Sequence, residues 1–181
     1  NIRYRAVGEN LHVSMSYLVL DPYGEPIGVY KHAFLDSLGS CISGPTLVDV
    51  AWNYYCFTRN GELNLAWLDD RLHLKKYSSS GQLLMENYFS IPAYLIGALS
   101  DIYSAQVLSD GNIMLLMGSY YDGAQRLNHL FINPSDSAVI PDDHFVYSSG
   151  GLYPAIAAIN DKAWITWAKG DYNYDTMIQL Q

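Results

Sequence analysis

Two short segments carry residue types that can meet a sugar. They are Tyr120-Tyr121-Asp122 and Asp171-Tyr172-Asn173-Tyr174-Asp175. A tyrosine ring offers a flat apolar face with a hydroxyl at its rim. A sugar ring has apolar C–H faces and polar edges. Tyr120, Tyr121, Asp122, Tyr172, Asn173 and Tyr174 are therefore the candidate ligand-binding residues. The plainer expectation is that these tyrosines cover neighbouring sheets or decorate hairpins. Asp171, Asn173 and Asp175 also place oxygens at alternate positions, as in the opening of a calcium loop. Thr176 stands where such loops carry glycine, and the given sequence ends before the position of a bidentate glutamate. Ca2+ is the cofactor these three residues suggest.

Other chemistry is thinly marked. The five histidines, His12, His32, His73, His129 and His144, show no metal-binding spacing. His73 and His129 fall at equivalent repeat positions and read as surface residues. No nucleophile elbow of the Gly-x-Ser-x-Gly type occurs. Adjacent acids stand at Asp69-Asp70 and Asp142-Asp143. Adjacency along a chain does not establish the spacing of roughly 5–10 Å that glycoside hydrolysis needs. Arg71 and Arg126 follow corresponding turns and read as architectural. Trp52, Trp67, Trp164 and Trp167 lie inside expected strands and read as packing residues. No catalytic residue is assigned.

The elements that must position these residues recur at equal intervals. Asn60-Gly61, Asp110-Gly111 and Asn160-Asp161 each follow one apolar stretch and precede another. Asn-Gly and Asp-Gly accept the positive φ of a two-residue hairpin turn. A polar turn and another strand follow each, with turns at 69–70, 119–124 and 170–175. A Ser- or Asn-rich turn closes the first two units, at Ser78-Ser79-Ser80-Gly81 and Asn133-Pro134-Ser135-Asp136. A further strand is expected upstream in each unit, at 28–35, 86–91 and 143–147. Connections at 36–46, 92–101 and 148–152 then form the longer loops of the edge that also bears the tyrosines. Binding residues concentrate on such loops.

A hairpin period of about 50 residues with four antiparallel strands per unit predicts an all-β fold, a β-propeller or propeller segment. The expected blades are 25–81, 82–136 and 137–181, the last incomplete, with a partial blade at 1–24. The pattern resembles the β-propeller repeats of secreted bacterial proteins. The Trp-Asp signature, the sialidase box and the kelch double glycine are absent. Closed propellers have at least four blades, so further blades are expected from a longer chain or from other subunits.

Composition narrows the partners. The chain has 181 residues and a net charge of −8, with ten Lys and Arg together. There is no basic run or basic face, so nucleic acid and anionic membrane are poor candidates as partners, and neither nucleic-acid binding nor membrane insertion is expected. No apolar run reaches the roughly 20 residues of a membrane helix. The chain begins at Asn1 and reads as processed or truncated. Sixteen tyrosines with little lysine point to an extracellular or cell-surface setting. Cys41 and Cys56 are read either as a disulfide or as two packed thiols. The leading expectation is a non-catalytic module that binds a glycan or a protein surface through the Tyr/Asp turns. The alternatives are a glycoside hydrolase or lyase of propeller type and a structural repeat of a surface protein.

Overall fold

A computed structural model describes residues 2–48, 54–68, 71–90, 101–121, 124–134, 138–141, 151–159, 162–169 and 175–180. Among them every regular element is a strand. The strands form four sheets. The first contains β1 (Ile2–Val7), β2 (Asn10–Leu20), β3 (Pro26–Leu35) and β4 (Cys41–Val48). The second contains β5 (Tyr54–Arg59), β6 (Glu62–Leu68), β7 (Leu72–Tyr77) and β8 (Leu83–Phe89). The third contains β9 (Asp101–Val107), β10 (Ile113–Tyr121), β11 (Ala124–Asn133) and β12 (Ala138–Pro141). The fourth contains β13 (Gly151–Ile159), β14 (Lys162–Lys169) and β15 (Asp175–Leu180). In each sheet the spatial order is the chain order. The all-β, sheet-repeat expectation is met.

The sheets span 2–48, 54–89, 101–141 and 151–180, whereas the sequence units begin at 25, 82 and 137. A hairpin period fixes the spacing of turns and not which strand opens a sheet. The segment 36–46, expected as one long loop, is a tight turn followed by the start of β4.

One turn design explains much of the spacing. In Asp21–Glu25, Asp36–Ser40, Ser78–Gln82 and Leu108–Asn112 the first N–H donates to the fifth carbonyl. In each, the N–H of the fourth residue, a glycine, donates back to the first carbonyl. These glycines, Gly24, Gly39, Gly81 and Gly111, all have positive φ. This is a type I turn with a glycine bulge, a standard hairpin loop. Asp21 Oδ1 also accepts the N–H groups of Tyr23 and Glu25, each at 2.8 Å. Asp36 Oδ1 repeats this with Leu38 and Ser40 at 2.9 and 2.8 Å. Asp110-Gly111 therefore belongs to this longer loop and not to the two-residue turn expected of it. Asn60-Gly61 is the two-residue turn expected, with φ of 52° and 75°. Asn160-Asp161 lies outside the described residues, between the paired Ile159 and Lys162.

By packing, the chain divides into two compact units. One comprises Asn1–Leu65 with Leu74–Glu86, and the other Ala66–His73 with Asn87–Gln181. In the first unit Val7, Phe34, Leu63, Leu65 and Leu74 are fully buried. There Asn10 Nδ2 donates to the Ser79 carbonyl at 2.9 Å, tying β2 to the turn after β7. In the second unit the run Ile113–Met117 on β10 is buried at every position. A strand covered on both faces reads as a continuous apolar run and not as an alternation. There Asn87 Nδ2 donates to the Pro134 carbonyl at 2.8 Å. Cys41 and Cys56 are free thiols. Burial pushes the Cys56 thiol up to about 12.

Two glycines in the first unit make a contrasting pair. Gly44 on β4 has φ +96°, and a Cβ there would sit 2.7 Å from the His32 carbonyl oxygen. Gly24 has φ +87° with open space around it. Left-handed backbone costs an L-residue about 1–2 kcal/mol. Gly24→Ala is expected to cost that and no more. Gly44→Ala is expected to cost at least twice as much, because backbone must move. Urea denaturation of both variants checks the difference.

Candidate functional site

A cluster of buried titratable groups lies in the first unit. Alternation along β2 and β3 puts His12, Ser14, His32 and Phe34 on one face. The register pairs His12 with Phe34 and Ser14 with His32. The two imidazoles are therefore diagonal neighbours, with His12 Nε2 3.3 Å from His32 Nδ1. Both are buried. Phe34 and Tyr77 enclose them, with the His32 and Tyr77 ring centroids 5.0 Å apart. His12 is lowered to about 3 by burial first, then by the neighbouring His32 and Arg5. His32 is lowered to about 4 by burial and by Lys75. Burial, with Glu86 adding to it, pushes Tyr77 up to about 12. The cluster is polar but uncharged at neutral pH. One imidazole donates a hydrogen bond and the other accepts it, which fits a satisfied core pair.

A second aromatic group lies in the other unit. Trp67 stacks on His73 with centroids 4.7 Å apart, and Tyr88 meets His73 edge-on at 4.9 Å. Tyr88 is half exposed. His129 departs from the surface role expected of it. It is fully buried on β11 beside Phe131. It belongs to a strand held between β10 and β12.

Most described carboxylates have structural partners. Asp21 and Asp36 cap their turns, and Asp110 accepts the Asn112 N–H at 2.9 Å. Glu86 pairs with Lys75 at 3.0 Å and Glu62 with Lys76 at 3.2 Å. Among the described residues no three His, Cys, Asp or Glu side chains come together to hold a metal. Among them also, no helix is long and apolar enough to cross a membrane.

The tyrosine turns are placed only in part. Tyr120 and Tyr121 end β10, opposite Gln125 and Ala124. Of the segment expected as a turn at 119–124, residues 119–121 and 124 are therefore strand. Consecutive strand positions belong to opposite faces of a sheet, so positions 120 and 121 do not share one. Asp122, Asp171, Tyr172, Asn173 and Tyr174 lie outside the described residues, and Asp175 opens β15 opposite Lys169. Asp69-Asp70 and Asp142-Asp143 are outside them too.

No family model matches this sequence. No curated protein matches it either. Solved structures do match, along almost the whole chain. An α-L-arabinofuranosidase from Lactobacillus brevis superposes with a TM-score of 0.55 at 12% identity, covering 99% of this chain and 71% of that one. An exo-1,5-α-L-arabinanase from a bovine ruminal metagenomic library gives 0.54 at 8% identity, covering 99% and 72%. An α-L-arabinofuranosidase from Clostridium thermocellum gives 0.50 at 12%, covering 99% and 67%. At such identities the likeness establishes the fold. These matches correct the expectation of a non-catalytic glycan- or protein-binding module. That expectation rested on the composition of two turns, whereas the chains sharing this architecture over their length are glycoside hydrolases. The chain has the all-β fold of a β-propeller or propeller segment, and these structural neighbours are five-bladed propellers.

Proposed function

We propose that this chain is the propeller body of a glycoside hydrolase acting on α-L-arabinofuranosyl linkages. The observation that carries the reading is the superposition of 99% of the chain on an arabinofuranosidase and on an exo-arabinanase. Glycoside hydrolysis needs one carboxylic acid to protonate the leaving oxygen. A second carboxylate attacks the anomeric carbon or activates a water. The described acids that cap turns or pair with lysines are committed to structure. The reacting pair is sought first among the acids outside the described residues, beginning with the adjacent pairs Asp69-Asp70 and Asp142-Asp143. Tyr172, Tyr174 and one of Tyr120 and Tyr121, which take opposite faces of β10, are the rings proposed to pack against a furanose.

The test is an activity assay on the purified protein with 4-nitrophenyl α-L-arabinofuranoside. Asp69→Asn, Asp70→Asn, Asp142→Asn and Asp143→Asn are compared with the parent. Removal of a general acid or base costs about 10²–10⁴ in rate. At least one variant is expected to fall by that factor with its melting temperature unchanged. Parent-level activity in all four would move the search to the remaining acids, Asp122, Asp136, Asp161 and Asp171 first. No release by the parent would overturn the reading.

A further inference from the structure

We infer that Arg3 and Arg5 form a subsite for the carboxylate of a uronic acid, a sugar that carries one negative charge. Alternation along β1 puts both side chains on one face, and both are exposed. The register sets Arg3 opposite Ser14 and Arg5 opposite His12. Two residues along a strand advance about 6.6 Å. A carboxylate with one oxygen toward each guanidinium spans a gap of that size, at about 2.8 Å per hydrogen bond. Beside the pair stand Tyr54 and Cys56, which share a face of β5. Burial is the main cause of the raised Cys56 thiol, and the Arg5 and then the Arg3 guanidinium pull against it. Burial also raises Tyr54, whose hydroxyl bonds the Ser14 side chain and which feels Arg3 as well. Both guanidiniums are therefore within electrostatic reach of one thiol. Tyr30 meets the Tyr54 ring edge-on, with centroids 5.2 Å apart.

The charge balance points to a ligand. The chain is acidic, with a net charge of −8 and only ten Lys and Arg together. Within the first unit Lys75 and Lys76 are neutralised by Glu86 and Glu62. Arg3 and Arg5 have no ion-pair partner among the described residues. Two neighbouring like charges repel each other, and one anion between them removes the repulsion. The surroundings select the anion. The net charge repels a polyanion such as a phosphate backbone, so a single carboxylate suits the pair better. Tyr30 and Tyr54 are both half-buried and put aromatic rings beside the charges. A sugar ring, with apolar faces and polar edges, uses such rings and their hydroxyls. A bare inorganic anion would use the arginines alone. The inference names a ligand class that arabinoside cleavage does not require. It is read by binding, so it stands or falls apart from turnover.

The experiment is isothermal titration calorimetry on the purified protein in a phosphate-free buffer. Sodium D-galacturonate and sodium D-glucuronate are the probes. D-Galactose supplies a ring without the charge, and sodium acetate supplies the charge without a ring. The expected result is saturable binding of at least one uronate, with both controls at least about tenfold weaker. Arg3→Gln and Arg5→Gln are each expected to weaken uronate binding at least about tenfold, the loss of one charge-assisted hydrogen bond. Both side chains are exposed, so the two variants are expected to melt with the parent. Saturable binding of neither uronate would overturn the inference. Galactose or acetate binding as tightly as the uronate would also overturn it, because charge and ring would not be read together. Parent-level affinity in either variant would overturn it too, because the arginines would not hold the carboxylate.

Discussion

Lowering the pH from 7 to 5 is expected to destabilise the first unit by about 3–4 kcal/mol, through His12 and His32. The folded rings protonate only near 3 and 4. In an unfolded chain both protonate near the ordinary histidine value of about 6.5. Between those limits the unfolded state binds protons that the folded state refuses, so stability falls as pH falls. The loss begins near pH 6.5, is steepest between about 6 and 4, and levels off below about 3. Above pH 7 both states hold neutral imidazoles and the pair contributes no pH dependence. Burial is the first cause of both depressions, and the positive groups Arg5 and Lys75 add to it. His32→Gln removes one titrating ring and is expected to roughly halve the slope. Denaturant melts at half-unit pH steps measure it. A stability profile flat from pH 7 to 5 would refute the buried pair.

Leu115→Ala is expected to cost about 2–5 kcal/mol, the range for deleting a fully buried leucine from a core that cannot collapse around the gap. Leu115 lies in the middle of β10, between Met114 and Leu116, all three without solvent exposure. β9 and β11 flank the strand, pairing Leu115 with Ala105 and Leu130, both buried. Little around the site can move inward. Leu38→Ala is the control. Leu38 is 89% exposed at the tip of the Asp36–Ser40 turn, and surface truncations of this kind stay within about 0.5 kcal/mol. Thermal melts of the two variants should differ by many degrees. Equal melting temperatures would mean that β10 is not the centre of the second unit's core.

Local chemistry made parts of this fold readable in the sequence. Asn60-Gly61 forms the turn its dipeptide demands, because few other pairs tolerate two positive φ values in succession. Leu72 and Leu74 are buried and His73 and Lys75 are not, as the alternation on β7 implies. The grouping of strands into sheets was not readable. It depends on which hairpin edge meets which, and a repeat is blind to its own starting point. Asp110-Gly111 misled because a glycine with positive φ also serves the longer bulged turn. The difference rests on the Leu108–Asn112 backbone pair, which no dipeptide encodes. His129 misled because equivalence to His73 was read as equal exposure, although β11 is covered and His73 is only partly so. The function was least readable. Hydrolytic acids must converge in space from separate strands, and no spacing along the chain records that convergence. The tyrosine-rich turns gave a compositional hint of sugar binding, and it pointed to binding without turnover.

The central claim is turnover of arabinosides, and the most direct measurement is product analysis. The protein is incubated with linear 1,5-α-L-arabinan, and released sugars are separated by anion-exchange chromatography over time. The account predicts free arabinose or short arabino-oligosaccharides accumulating linearly with time and protein concentration. Arabinan that binds the protein yet stays intact through prolonged incubation would contradict it.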